Sequence, residues 1–261
     1  MLLKRFFRER VSFVSYPKSG RTWLRAMLGS YFSLKYEGDS AGTFPDVREL
    51  SDKNGLPKIK FTHDGASMQA SLSYKDLRSG HRDYRKNKVV FVGRDVRDTL
   101  VSAYFQATKR VNVYEGSVSD FLRSDTYGAD KILSFYQLWH SACNEPCAFL
   151  YTSYELMHED ARRELTRVLN FMGVEVDDDL VGKSVDACSF NNMKKMEKSG
   201  EGTSSAFRPA DTKDEESYKA RKGKVGTYTE NLSEEDIDYI SKRASAYGID
   251  LYDPWNGQKS H

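Results

Sequence analysis

Lys18, Ser19, Gly20 and Thr22 fall within five residues, after the β-rich run Val11-Ser12-Phe13-Val14-Ser15-Tyr16 and Pro17 and just before Trp23. A lysine, two hydroxyls and a turn-forming glycine at a helix start suit an anionic oxygen cluster. The first helical turn offers unpaired N–H groups and the positive end of the macrodipole, and Gly20 lets the backbone curl around a ligand. Lys18 adds a full charge. The order differs from G-x-x-x-x-G-K-[ST], because Lys18 precedes Gly20, so an ordinary ATP-binding loop does not match. A second cluster, Arg94-Asp95-Val96-Arg97-Asp98, ends another β-rich run, and Ser102 lies eight residues beyond Arg94. An arginine at the carboxyl end of a parallel strand stands where open α/β sheets place ligands, and its planar fork with a nearby hydroxyl can grip one phosphate. By itself the run also describes a surface ion-pair network. The third cluster, Tyr218-Lys219-Ala220-Arg221-Lys222-Gly223-Lys224-Val225-Gly226, has four cations and two glycines in nine residues. It reads either as a phosphate wrap or as a solvated basic loop.

Short β-rich runs alternate with helical patterns, which predicts an α/β fold: a single domain over 1–261 with a central parallel sheet flanked by helices and a phosphate-binding, P-loop-type turn after its first strand. Strands are expected at 11–16, 58–63, 88–93 and 147–151, and helices at 22–34, 98–110, 131–141 and 160–171. Apolar Trp23, Leu24, Met27, Leu28, Tyr31 and Phe32 carry the helical spacing of the first of these helices. Ser233-Glu234-Glu235-Asp236 resembles a capping box and predicts a last helix running toward Tyr247, stopped by Gly248. The segment 197–217 is rich in Ser, Gly, Thr and charge, which predicts a mobile lid loop, a composition that an idle surface loop shares.

Composition narrows the function. Forty Lys and Arg against 38 Asp and Glu give a net charge of +2, so any anion site is local and general nucleic-acid binding has little support. Charges interrupt Met1-Leu2-Leu3-Lys4-Arg5-Phe6-Phe7-Arg8 where a secretory peptide needs an apolar run, and no apolar stretch approaches a membrane span. Cys143, Cys147 and Cys188 are an odd set without CxxC pairing, which argues against a disulfide framework or a zinc site and for a cytoplasmic protein.

The three clusters, in this order, closely resemble the soluble sulfotransferases that use 3′-phosphoadenosine 5′-phosphosulfate (PAPS). Tyr16-Pro17-Lys18-Ser19-Gly20-Arg21-Thr22-Trp23 is similar to their 5′-phosphosulfate loop YPKSGTTW. Arg94 to Ser102 resembles their 3′-phosphate strand and helix, and Arg221-Lys222-Gly223 with Gly226 resembles their RKGxxG loop. Phe61-Thr62-His63 looks like KTH, Tyr154-Glu155 like the start of YEDL, and Cys188-Ser189-Phe190 with Met193 like TSFxxM. The resemblance implies transfer of a sulfuryl group from PAPS to a hydroxyl or amine of a small-molecule, sugar or lipid acceptor, releasing adenosine 3′,5′-bisphosphate, with no metal. It assigns His63 as catalytic base, Lys18 to charge on the leaving phosphate, and Ser102 to the 3′-phosphate and to restraint of Lys18. Trp23, Tyr154 and Phe190 would contact the adenine, with Met193 nearby.

Departures from the pattern stand at informative places. Arg21 replaces the first Thr of GTTW, Phe61 the Lys before Thr-His, and Tyr228 the Trp after the glycine-rich loop. Thr229 and Ser233-Glu234 occupy positions of the KxxxTVxxxE dimer motif, so that route to dimers has no support and the oligomeric state stays open. The short stretch before the first loop points to compact, bacterial-type members. Two other functions fit parts of the pattern: a P-loop nucleotide kinase, opposed by the lysine spacing, and a non-catalytic binder of the bisphosphate, opposed by His63. The acceptor-lining loops are expected at 35–56, 68–87 and 197–217.

Overall fold

The computed structural model describes residues 8–38, 45–78, 81–199 and 223–256. In chain order the first half comprises β1 (Arg10–Val14), α1 (Arg21–Glu37), α2 (Val47–Lys53), β2 (Lys58–Thr62), β3 (Lys88–Gly93), α3 (Val96–Phe105) and α4 (Val118–Arg123). The second half comprises α5 (Ala129–Ala142), β4 (Ala148–Ser153), α6 (Tyr154–Glu159), α7 (Ala161–Met172), α8 (Asp178–Ala187), α9 (Phe190–Ser199) and α10 (Glu234–Tyr247). All three strand pairings are parallel, in the order β2-β1-β3-β4. Because β1 has β2 on one side and β3 on the other, chain direction across the sheet reverses beside it, and the connections part there to leave a crevice at the carboxyl ends.

Both faces of the sheet are covered, which is why its inner strands read as nearly unbroken apolar runs. Val11, Phe13, Val90 and Val92 face a core built with α1, α7 and α8; Val14, Val89 and Phe91 face one built with α3, α5 and α10. The expected parallel α/β architecture is what forms. Among the described residues no helix is long and apolar enough to cross a membrane.

Boundaries move where neighbours decide them. β4 continues past 151 because Thr152 and Ser153 stay in register with Val92 and Gly93. The helix expected over 98–110 begins at Val96, capped by Asp95, whose carboxylate accepts from Arg97 N at 2.8 Å and Asp98 N at 3.3 Å. It then opens into a π-helical turn over Gln106–Arg110. α9 runs through Ser199 with Glu197 buried and paired to Arg110 at 3.1 Å, so 197–199 is helical rather than loop. The rest of the expected lid, 200–217, lies outside the described residues. α10 forms as expected, with Ser233 Oγ accepting from Asp236 N at 3.1 Å and Gly248 closing it at φ 65°.

Candidate active site

Each strand delivers one part of the crevice at its carboxyl end. After β1, Lys18 takes a left-handed conformation (φ 72°) and Gly20 another (φ 84°) as the N-cap of α1. A non-glycine residue in that region is a strained arrangement of the kind found at functional sites. No side chain caps α1 and no acid lies in its first turn, so its positive end is left for a ligand. Lys18 Nζ donates to Gln106 Oε1 at 3.3 Å, on the π-helical turn four residues beyond Ser102. Inserted turns of this kind often mark functional sites because they re-aim one side chain.

Gly20 is required by its neighbour as well as by its φ: a Cβ there would lie 2.6 Å from Tyr154 Cδ2. Gly20→Ala is expected to cost about 1–2 kcal/mol in backbone strain and to push the Tyr154 ring. Calorimetry should show a loss of bisphosphate affinity of about tenfold or more, with circular dichroism unchanged.

After β2 comes His63. Its Nδ1 donates to Ser15 O at 2.9 Å, which leaves Nε2 as the lone-pair nitrogen, and Nε2 accepts from Arg21 Nη2 at 3.0 Å. Arg21 also donates to Thr62 O. Phe61, in place of the lysine of the pattern, stacks on Phe13 with ring centroids 4.9 Å apart. The next residue, Asp64, is buried and accepts from Tyr84 Oη and Trp139 Nε1, both at 3.0 Å, which fixes the chain just beyond the histidine.

Arg94 follows β3. It is nearly buried, donates from Nη1 to Lys18 O at 3.0 Å, and lies 4.2 Å over the Tyr154 ring. Its Nε is buried without a hydrogen-bond partner among the described residues. The acidic members of the run are structural. Asp95 pairs with Arg97 at 2.6 Å, as an ion-pair reading would have it, while buried Asp98 accepts from Gly226 N at 2.7 Å and Tyr228 N at 2.9 Å. Asp98 thereby ties Gly226, the last residue of the third cluster, beside the second, with Arg97 4.2 Å over the Tyr228 ring.

After β4, Tyr154 and His158 share one face of α6 and meet Trp23, whose ring centroid is 6.0 Å from Tyr154 and 5.0 Å from His158. Burial, reinforced by Arg94, lowers the His158 pKa, so this aromatic wall is uncharged at neutral pH. Trp23 Nε1 donates to Cys188 O at 2.9 Å. Phe190 packs against Gly223, where a Cβ at φ 61° would overlap its ring.

Glu155, beside this wall, is buried with Oε1 accepting from Asp95 N at 3.1 Å and Oε2 without a partner among the described residues, and burial raises its pKa from 4.5 to about 7. The folded protein therefore holds this proton where an unfolded chain releases it. The resulting stability is full below pH 4.5 and is lost as pH rises through 7, a swing of roughly 3 kcal/mol. Urea unfolding of Glu155→Gln at pH 5 and pH 8 should show that swing flattened.

A single cavity of about 320 Å³ at the carboxyl ends of the strands gathers these groups. Lys18, Ser19, Gly20, Arg21, Thr22 and Trp23 line it together with His63, Arg94 and Ser102. Tyr154, Phe190, Met193 and Gly223 complete the part of the candidate set that the structure describes. Arg221 and Lys222 lie outside the described residues. Arg21 turns toward β2 rather than serving only as one more phosphate-loop donor. Gln106 and His158 also line the cavity and were not anticipated. His158 was findable four residues after Tyr154 on one helix face; Gln106 had no signal, because it faces Lys18 only through the π-helical turn.

The sulfotransferase domain family matches residues 8–246. The chain belongs to that family. It is 28% identical over 195 residues to Sulfotransferase 1E1 of Bos taurus, across 69% of this chain and 64% of the relative. With Flavonol 3-sulfotransferase of Flaveria bidentis the identity is 25% over 252 residues, 89% of this chain and 79% of the relative. The match thus spans about 64% of the length of the animal relative. Among solved structures, mouse sulfotransferase SULT7A1 complexed with PAP superposes with a TM-score of 0.59 at 22% identity, over 94% of this chain and 87% of that one. Retinol dehydratase in complex with androsterone and inactive cofactor PAP gives 0.64 at 16% identity, over 93% and 81%. These two share the fold.

Proposed function

We propose that this protein is a PAPS-dependent sulfotransferase that moves a sulfuryl group to a hydroxyl or amine of a small acceptor. One observation carries the reading: residues from 18 to 223 that the sequence nominates for donor and transfer line the same cavity. The fit to an anionic nucleotide rests on the uncapped start of α1, on Arg94 Nε, buried and unpartnered among the described residues, and on the aromatic wall of Trp23, Tyr154 and His158.

The donor supplies an activated mixed anhydride, so the chain has to bind, align and move one proton. The first turn of α1 with Lys18 holds the 5′ end, and Arg94 with Ser102 the 3′-phosphate. Trp23, Tyr154 and Phe190 flank the base, with Met193 beside them. His63 takes the acceptor proton on Nε2, its tautomer held by Ser15 O. Lys18 meets charge on the leaving oxygen, and Gln106 joins Ser102 in positioning it. The three free cysteines suit a reducing cytoplasm.

The test is transfer of labelled sulfate from PAPS across phenol, sugar, amine and lipid acceptors, with calorimetry of the bisphosphate. Transfer to any class is expected. Tight bisphosphate binding with no transfer would mark a binding module, and Mg²⁺-dependent ATP turnover a kinase.

A further inference from the structure

Among the described residues Arg21 is a cation without a counter-charge. Its guanidinium donates to Thr62 O and to His63 Nε2, and it makes no ion pair with a carboxylate among the described residues. Burial, with Arg25 nearby, lowers its pKa to about 10, so the site holds this charge at a cost. The guanidinium lies at the end of β2, where Ser67, Met68 and Gln69 continue the cavity wall. It is thus set beside the base rather than over the loop shaped by Lys18 and Gly20. The nitrogen it occupies is the one lone pair His63 has for an acceptor proton, since Nδ1 is committed to Ser15 O.

We propose that Arg21 masks His63 until an acceptor with an anionic group next to its reacting hydroxyl, such as a carboxylate, phosphate or sulfate, draws the guanidinium away. This rests on the sulfotransferase reading. A carboxylate or phosphate receives the two-pronged guanidinium better than a neutral imidazole does, because donor and acceptor are then both charged and the partly buried cation gains its counter-ion. Nε2 then takes the acceptor proton. The acceptor oxygen bonds to sulfur as the sulfur–oxygen bond to the 5′-phosphate breaks, and that phosphate leaves with the electron pair. A neutral acceptor has to compete with Arg21 for Nε2 and offers nothing in exchange. The acceptor class is therefore an anionic hydroxy compound.

Two measurements test this on the protein saturated with adenosine 3′,5′-bisphosphate or PAPS. In transfer assays, meta-hydroxybenzoate should exceed meta-hydroxybenzamide in kcat/KM by about tenfold or more, and Arg21→Thr should erase the difference by lowering the first and raising the second. Arg21→Lys, which keeps charge but loses the fork, should fall between. In ¹⁵N spectra of the bisphosphate complex, the hydroxybenzoate should shift the His63 Nε2 resonance in wild type and not in Arg21→Thr, while the benzamide should leave it in place. Equal kcat/KM for the two probes, a preference that survives Arg21→Thr, or a His63 resonance unmoved by the hydroxybenzoate would each overturn the proposal. The spectra read the Arg21–His63 pair without turnover, so a protein that binds the bisphosphate but transfers nothing would fail the sulfotransferase reading and still decide this one.

Discussion

His63→Ala is expected to lower kcat for sulfuryl transfer by about 10²–10⁴-fold while leaving bisphosphate affinity within about twofold of wild type. The ring stands at the end of β2, held on its Nδ1 side by Ser15 O and followed by Asp64, which Tyr84 and Trp139 clamp. Such a ring is pre-oriented as a base, and at the start of α1 its removal touches only the Arg21 guanidinium, which keeps its bond to Thr62 O. Single-turnover kinetics separates the chemical step from product release, and calorimetry supplies the affinity. A variant with near-wild-type turnover would remove the general-base role. Loss of bisphosphate affinity along with turnover would show instead that the histidine holds up the donor loop through Ser15.

Arg94→Ala is expected to weaken bisphosphate binding by about 10- to 150-fold, the value of one charge-assisted contact to phosphate. A nucleotide lacking the 3′-phosphate should lose less. The geometry also predicts that its loss will not be zero, because Arg94 Nη1 holds Lys18 O at 3.0 Å and its guanidinium packs on Tyr154 at 4.2 Å. Arg94→Lys should restore charge without the fork, recovering part of the discrimination between the two nucleotides. Equal losses for both ligands on Arg94→Ala would mean that the residue only supports the loop.

Much of this was legible in the chain because the signals are local. Lys18-Ser19-Gly20 carries its own turn and helix start, Lys88–Gly93 is an apolar run bounded at Gly93-Arg94, and Ser233 with Gly248 brackets α10. Such features depend on backbone preferences and periodicity over a few residues. The length of β4 was less legible, since pairing with β3 carries it to Ser153. Asp98 was read as one member of a charge run; it keeps an ion pair with Arg94 at 3.9 Å, and it also accepts from backbone N–H groups more than a hundred residues away, at Gly226 and Tyr228. Those bonds make the buried carboxylate the clamp that sets Gly226, at the end of the third cluster, beside the second.

By itself the sequence determined a parallel α/β fold, an anion cradle at the first loop and the residues that point to a two-phosphate nucleotide. Only the tertiary structure decided that these residues line one cavity, that Gln106 rather than a neighbour in sequence meets Lys18, and that Arg21 faces His63. The physical reason is the sheet order. β1 and β2 lie side by side, so the end of one sets its helix start against the end of the other, and a substitution that looks like added charge on a phosphate loop becomes a contact on a base 42 residues away.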